Sequence, residues 1–207
     1  MAVEPAVKRA IIFVDGQNLF HAVKEAFGYT FPNYDCRRLA AAVCSARDWN
    51  LKQVRFYTGV PAGQDDPFWN HFWNAKLAQM GRQGVWTYSR PLRYHDEIVI
   101  LADGTQSRQL KGREKGIDLR IALDVVRMVL DDSCDVALIF SQDQDLSELA
   151  DEVRLIGRRD SRWIKLASAF PTSPRYRNRR GIAGTDWIPI DREAYDACID
   201  PRDYRPK

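Results

Sequence analysis

A chain of 207 residues is long enough for one compact domain with a real core and short for two. Its hydrophobic share of 45% and charged share of 29% are typical of soluble globular proteins, and no apolar run approaches the roughly 18 residues that span a bilayer. The net charge of +3 permits nucleic-acid binding without requiring it.

The N-terminus and the cysteines indicate the cellular compartment. Residues 1–9 lack the apolar stretch of a signal peptide, so we expect a cytoplasmic protein with no membrane association. The cysteines form no CxxC pair, and no histidine lies at metal-ligand spacing from them. They are Cys36, Cys44, Cys134 and Cys198. This pattern favours reduced thiols and argues against a zinc site or a disulfide framework.

The first half of the chain alternates apolar runs with helical patterns. Residues 10–14 are apolar at every position, which predicts a strand covered on both faces, as in parallel sheets. The next predicted elements are helices at 18–27, 35–46 and 67–81 and strands at 53–57 and 85–88.

Residues 90–113 interrupt this alternation. An apolar run at 98–101 followed by Asp103-Gly104 predicts a β-hairpin that turns at Asp-Gly, inserted beside the main sheet. Alternation then resumes with helices at 117–130 and 146–156, strands at 136–140, 163–167 and 187–190, and a loop at 171–184.

These elements predict the α/β fold class, with three α/β/α layers around a mostly parallel, Rossmann-like sheet and a β-hairpin insertion. We expect an N-terminal tail at 1–9, one domain at 10–190 and a C-terminal extension at 191–207.

Four aspartates are candidate active-site residues. Asp15 directly follows the first predicted strand, Asp143 and Asp145 follow the strand at 136–140, and Asp118 opens a predicted helix. Because sites in open α/β sheets form at the carboxyl ends of the strands, we expect the four to converge. Neighbouring carboxylates repel each other unless a cation or a proton lies between them. Hard cations such as Mg²⁺ and Mn²⁺ prefer oxygen ligands, so the pattern predicts a divalent-metal site that grips a phosphodiester.

Each aspartate also has a purely structural interpretation. Asp15 could be a turn residue, Asp118 a first-turn acid favoured by the helix dipole, and Asp145 the N-cap of a capping box with Glu148. These interpretations leave Asp143 unexplained. They also require independent structural roles for residues whose positions converge at one edge of the sheet, which favours a shared site.

The predicted helix at 117–130 has a charged row at helical spacing. This row contains Arg120, Asp124, Arg127 and Asp131. We predict that it faces solvent, which turns Asp118 about 200° away from Arg120, towards the interior.

Three ordered motifs carry a resemblance to a known family. They are Asp-Gly-Gln-Asn at 15–18, Lys-Gly-Ile-Asp at 115–118 and Ser-Gln-Asp-Gln-Asp at 141–145. Together they resemble the NYN domain family (including LabA-like proteins) of the PIN-like nuclease superfamily, over residues 10 to 168. The resemblance implies a PIN-like fold and metal-dependent cleavage of RNA.

The same resemblance implies roles for individual residues. The four aspartates would coordinate Mg²⁺ or Mn²⁺, Asn18 would position the attacking water or the phosphate, and Ser141 would orient its neighbours on the substrate side. The implied chemistry is in-line attack by a metal-activated water, which leaves a 5′-phosphate and a 3′-hydroxyl. The sequence departs from the family at Gln142, where glycine is usual and would permit a positive φ, and at Leu146, where phenylalanine is usual.

Two basic segments are candidate substrate contacts. The first contains Arg108, Lys111, Arg113 and Lys115. It could form one wall of a phosphate-binding groove, or it could be ordinary solvated surface. The second contains a tyrosine among Arg175, Arg177, Arg179 and Arg180. It suits single-stranded nucleic acid, through charge neutralisation and base stacking, or it could be a solubilising loop. Arg90, Arg93 and Tyr94 are weaker candidates.

Aromatic residues in the predicted helix at 67–81 favour core packing. They are Phe68, Trp69, Phe72 and Trp73, in two rows spaced by four residues. An exposed Trp69 or Trp73 would instead indicate a base-stacking platform or a protein interface. The three histidines share no ligand spacing, and we assign them no chemistry.

The leading functional prediction is a ribonuclease that acts on single-stranded RNA, with a homodimer as a possible assembly. One alternative is a non-catalytic RNA-binding or partner-recruiting domain. Another is a small-molecule phosphohydrolase, but an aspartyl-phosphate enzyme would need Asp-x-Asp after the first strand, where this chain has Asp-Gly-Gln-Asn.

Overall fold

A computed structural model describes residues 2–100 and 105–206, with the side chains of 109–111 outside the description. The strands are β1 (Lys8–Asp15), β2 (Trp49–Val60), β3 (Trp86–Pro91), β4 (Arg93–Ile100), β5 (Gln106–Arg113), β6 (Val136–Phe140), β7 (Lys165–Pro171) and β8 (Asp186–Ile190). The helices are α1 (Gly16–Phe27), α2 (Cys36–Ser45), α3 (Pro67–Arg82), α4 (Ile117–Leu130), α5 (Glu148–Arg159) and α6 (Arg192–Asp196).

Six strands form one parallel sheet in the order β3-β2-β1-β6-β7-β8. β1 lies in its interior because its side chains are apolar on both faces. Ile12 and Val14 pack in the core on the side of α1, α2 and α3, whereas Ile11 and Phe13 pack in the core on the side of α4 and α5. The three-layer α/β/α prediction is therefore confirmed, and the main sheet is entirely parallel.

The insertion predicted at 90–113 is a two-stranded antiparallel ribbon, formed by β4 and β5. It leaves the main sheet directly after β3, where the Leu92 backbone N donates to Val60 O at 3.0 Å. The predicted turn at Asp103-Gly104 lies outside the described residues. β5 returns the chain to Gly116, whose φ of 75° sets the start of α4.

Residues after β8 pack onto the core. Tyr195 on α6 is fully buried, and the backbone N of Asp35 donates to Cys198 O at 2.8 Å. Lys76 on α3 is also buried and lies 3.9 Å from Asp200 Oδ2. The last segment thus covers α2 and α3 instead of projecting from the domain.

The prediction that Asp124 faces solvent on α4 is wrong. This side chain is only 3% exposed, because α4 lies over β2 and Arg55 and Tyr57 on that strand reach its carboxylate. Leu119 and Leu123 occupy exposed positions of the helix instead.

Other predictions on packing and topology have mixed outcomes. Phe72 and Trp73 are core residues as predicted, whereas Phe68 is 38% exposed. All four cysteines are buried free thiols. Within the described residues, no helix has the length and apolar character required to cross a membrane.

Candidate active site at the carboxyl edge of the sheet

Asp15 is the last residue of β1 and is only 3% exposed. It caps α1, since its Oδ1 accepts from the backbone N of Asn18 at 3.1 Å, and its Oδ2 accepts from Ser141 Oγ at 3.2 Å. Gly16 fixes this geometry, because a Cβ there would lie 2.5 Å from Phe56 Cζ. The structural and the catalytic interpretation of Asp15 are therefore compatible.

The loop after β6 is tied to the loop after β1. The backbone N of Gln142 donates to Asn18 Oδ1 at 2.9 Å, and the backbone N of Asp143 donates to Ser141 Oγ at 3.1 Å. Asn18 and Ser141 thus orient the acidic loops. Their predicted contacts with water or substrate stay predictions.

Asp143, and not Asp145, is the capping residue of this loop. Asp143 Oδ1 accepts from the backbone N of Asp145 at 3.0 Å and caps a 3₁₀ turn at Gln144–Leu146. The capping-box interpretation of Asp145 is wrong, because this extra turn separates it from α5, whose N-cap position is Ser147. Asp145 is exposed, and this structural explanation no longer accounts for it.

Asp118 lies in the first turn of α4 and is half-buried. Burial raises its pKa, and the charges of Asp143 and Asp145 raise it further. The same pattern holds at Asp15, where burial raises the pKa to about 7 and the charges of Asp118 and Asp143 add to the shift. The four predicted aspartates therefore lie close enough to act on each other, as the strand-end argument predicts.

Glu114 is an acidic group of this site that the sequence analysis missed. Burial raises its pKa to about 8, and the charges of Asp15 and Asp118 raise it further. Its Oε1 is buried and has no hydrogen-bond partner among the described residues. The available signal was an acid between Arg113 and Lys115, but the surrounding basic run concealed it.

The chemistry of this acidic cluster (Asp15, Glu114, Asp118, Asp143 and Asp145) suits a hard divalent cation. All its donors are carboxylate oxygens, the ligands that Mg²⁺ and Mn²⁺ prefer, and the unpaired Oε1 of Glu114 is a buried acceptor. In the described part of the chain, no three His, Cys, Asp or Glu side chains already stand in a ready ligand arrangement. The fit is therefore one of donor type, burial and charge.

Gln142 connects the acidic edge to the arginine-rich loop. Its backbone is not in the positive-φ region. Its Nε2 donates to Arg180 O at 2.7 Å and to Asn178 O at 3.1 Å, and its Oε1 accepts from Tyr176 OH at 2.8 Å. A glutamine here serves to anchor the loop, so the departure from glycine requires no backbone strain.

The arginine-rich loop therefore stands beside the acidic cluster. Arg175, Arg177 and Arg180 are exposed. Arg179 bonds to its own loop, since its Nη2 donates to Pro174 O at 2.8 Å. The first three side chains are better placed than Arg179 to contact a polyanion.

The other basic segment lies at the base of the ribbon. Arg113 and Lys115 are exposed on either side of Glu114, and Arg90 Nη1 lies 2.7 Å from the position of a Cβ on Gly116. Arg108 is engaged further out, 3.1 Å from Asp96. The side chain of Lys111 lies outside the description, so its predicted role stays a prediction.

A six-stranded parallel α/β sheet with acidic residues at its carboxyl edge defines a PIN-like fold. The family model of the NYN domain matches residues 9–167. The chain therefore belongs to the NYN domain family, a member of the PIN-like superfamily.

Solved structures add information on the fold alone. A crystal structure of a protein of unknown function from Vibrio parahaemolyticus is similar over 90% of this chain and 94% of that chain, with a TM-score of 0.54 and 20% identity. A deacetylase–teicoplanin complex from teicoplanin biosynthesis covers 76% of this chain and 68% of that chain at 11% identity. Its TM-score of 0.31 is too low to carry an argument. The comparison with curated proteins gives no significant match.

Proposed function

We propose that this protein is a divalent-metal-dependent ribonuclease that hydrolyses phosphodiester bonds in single-stranded RNA. The observation that carries the proposal is the acidic cluster, in which burial and neighbouring carboxylates together raise the pKa values of Asp15, Glu114 and Asp118. A carboxylate cluster of this kind is stabilised by a bound cation.

Asp15, Asp118, Asp143 and Asp145 would hold the cation, with Glu114 as a further oxygen donor. Bound Mg²⁺ or Mn²⁺ supplies Lewis-acid polarisation of the phosphoryl oxygen and lowers the pKa of an attacking water. Ser141 keeps Asp15 oriented through its hydrogen bond at 3.2 Å. The protein thereby supplies oxygen donors held by hydrogen bonds at the carboxyl edge of the sheet.

The cationic side chains would hold the polyanionic substrate over these donors. Arg175, Arg177 and Arg180 belong to the loop tied to Gln142, Arg113 and Lys115 flank Glu114, and all five are exposed. Contacts of this kind neutralise phosphates without reading sequence, since phosphate contacts dominate non-specific affinity.

The decisive experiment compares wild type with Asp143→Asn on end-labelled single-stranded RNA, in Mg²⁺, in Mn²⁺ and in EDTA. The matched control is Asp151→Asn, because Asp151 is an exposed acid on α5, paired with Arg154 in the next turn. We expect metal-dependent cleavage by wild type and by the control and none by Asp143→Asn.

The products decide the chemistry. Attack by water gives a 5′-phosphate and a 3′-hydroxyl, whereas a 2′,3′-cyclic phosphate would refute it. RNA binding without cleavage in any metal would favour a non-catalytic RNA-binding or partner-recruiting domain. Turnover of a simple phosphate ester without RNA cleavage would favour a phosphohydrolase.

A further inference from the structure

An aromatic cavity lies between α1, α3 and the β4–β5 ribbon. Its volume is about 320 Å³, at the small end of the roughly 300–1,000 Å³ of typical ligand pockets. Phe20, Trp69 and Tyr94 line it, and each is half-buried, so part of each ring is available to a ligand. A cavity of this size and lining suits one flat ring system.

This aromatic cavity and the acidic cluster meet at Gly59, near the end of β2. A Cβ on Gly59 would lie 3.3 Å from Nε2 of Gln17, which lines the cavity, and 3.1 Å from Glu114 Oε1. Gln17 also follows Asp15 by two residues in the chain. A molecule in the cavity is therefore an immediate neighbour of the proposed phosphodiester site.

Two aspartates make the rim of the aromatic cavity negative. Asp65 is exposed, and Asp66 caps α3 by accepting from the backbone N of Trp69 at 3.0 Å. Burial raises the pKa of Tyr94, and the charges of Asp65 and Asp66 raise it further, so their field reaches the cavity wall. This rim disfavours a phosphate and favours a group that donates N–H hydrogen bonds.

We propose that the aromatic cavity binds one nucleobase of the RNA, next to the phosphodiester held at the acidic cluster. This inference rests on the proposed function and names its substrate subsite. The base stacks on the rings of Phe20, Trp69 and Tyr94, as unstacked bases do on aromatic side chains. Bases with an exocyclic amino group are preferred over uracil, because that group donates to Asp65 or Asp66.

The test is a binding measurement in EDTA, which needs no cleavage. A short single-stranded RNA carries an abasic site at each position in turn, and its affinity is measured for wild type, Tyr94→Leu and Phe20→Leu. Phe68→Leu is the matched control, because Phe68 is an aromatic residue of α3 that does not line the cavity. Thermal melting verifies that each variant folds. If Tyr94→Leu does not fold, Phe20→Leu is used for the test.

We expect one abasic position to weaken binding to wild type by about 10-fold, the effect of losing a stacked base. The same abasic site weakens binding to Tyr94→Leu or Phe20→Leu only slightly, because the stacking partner of the base is already missing from these variants. Phe68→Leu keeps the full penalty. The proposal would be overturned if the abasic site weakened binding to the cavity variants as much as to wild type. It would also be overturned if no abasic position weakened binding to wild type.

The same experiment separates this inference from the proposed nuclease activity. RNA cleavage without coupling between base and ring refutes the nucleobase site alone. Coupling without cleavage supports the site and refutes the nuclease. With Asp65→Asn, the preference for cytidine over uridine at the sensitive position should shrink, and equal binding of both by wild type would refute the role of the acidic rim.

Discussion

Two aspartates in this protein have equally low exposure and lie in opposite electrostatic environments. Asp15 and Asp124 are each 3% exposed. Burial raises the pKa of Asp15 to about 7, and the surrounding carboxylates reinforce the shift. Burial also acts to raise the pKa of Asp124, but hydrogen bonds from Tyr57 and Arg55 outweigh it, and the pKa lies below its ordinary value.

Depth and partners together explain this difference, because Asp15 lies deeper in the fold than Asp124 and only Asp124 is paired with cationic side chains. Asp124 Oδ2 accepts from Arg55 Nη2 at 2.9 Å and from Tyr57 OH at 2.8 Å, and its Oδ1 lies 2.9 Å from Arg120 Nη2. Its charge is neutralised by the fold itself. Asp15 accepts from two neutral donors, and the charges of Asp118 and Asp143 raise its pKa. Low exposure alone therefore does not distinguish a structural ion pair from a candidate cation site. The charges of the neighbouring groups do.

The largest expected effect comes from breaking the neutralised site. Asp124→Asn leaves Arg55 and Arg120 without their carboxylate, and we expect it to lower the free energy of unfolding by about 3–5 kcal/mol, measured by urea denaturation. Asp131→Asn is the control, because the exposed pair Asp131–Arg127 should contribute only about 0–1 kcal/mol. Equal losses in the two variants would contradict this interpretation.

Lys76 is a buried lysine whose charge is only partly compensated, and its titration provides a second test of the comparison. Burial lowers its pKa from 10.5 to about 8, and Asp200 only partly opposes the shift. Between these values the unfolded chain binds more protons than the folded chain. The contribution of Lys76 to the free energy of unfolding should therefore rise with pH across this window, by about 3 kcal/mol at about 1.4 kcal/mol per pKa unit. The buried cysteines, whose pKa values burial raises, contribute with the opposite sign, so the contribution of Lys76 is the difference between wild type and Lys76→Met.

The measurement compares urea unfolding from pH 7 to 10.5 for wild type, Lys76→Met and Lys24→Met. Lys24 is an exposed lysine on α1, so its replacement should leave the pH dependence intact. The free energy of unfolding of wild type minus that of Lys76→Met should rise from pH 8 to 10.5. Superimposable pH dependences for wild type and Lys76→Met would show that Lys76 titrates like an exposed lysine.

Divalent cations should stabilise the acidic edge and leave the Asp124 site unaffected. At 100 times the dissociation constant, a bound ion raises the free energy of unfolding by about 2.7 kcal/mol. We expect Mg²⁺ or Mn²⁺ to raise the melting temperature of wild type and of Asp151→Asn, and to have less effect on Asp143→Asn. Equal shifts in all three proteins would place the bound ion elsewhere.

The smallest expected effect is a gain in stability. In EDTA at pH 8, Asp15→Asn removes one of the mutually repelling charges and keeps an acceptor for the backbone N of Asn18. We expect the free energy of unfolding in EDTA to rise by about 1 kcal/mol, while RNA cleavage assayed separately in Mg²⁺ is lost. Denaturation and cleavage measured on the same preparation verify both effects. A destabilised variant would show that Asp15 is held mainly by its structural hydrogen bonds.

The regular pattern of the chain predicted much of the fold. The bounds of α4 and β6 agree residue for residue with the sequence prediction, because apolar periodicity is a local property. The proximity of Asp15 and Asp143 follows from the parallel pairing of β1 and β6, which places their carboxyl ends at one edge. The position of Asp118 depends in addition on where the ribbon returns the chain to α4.

What the sequence concealed depends on distant partners. Asp124 was expected at the surface because it belongs to a charged row of the helix. Its burial depends on the cation of Arg55, which lies 69 residues earlier in the chain. Glu114 lay within a basic run, and its burial beside Gly59 depends on where the ribbon rejoins the sheet. The hydrogen bonds of Gln142 to the arginine-rich loop likewise require the folded chain.

The sheet order also determines when the candidate site can exist during folding. β1 is the first strand in the chain, yet it pairs with β6, and the hydrogen bond between Asp15 and Ser141 joins residues 126 positions apart. Contacts of such long range form slowly, because a large loop must close first. On a ribosome, Asp15 emerges long before its partner loop, so the nascent chain holds no assembled acidic cluster until β6 has docked.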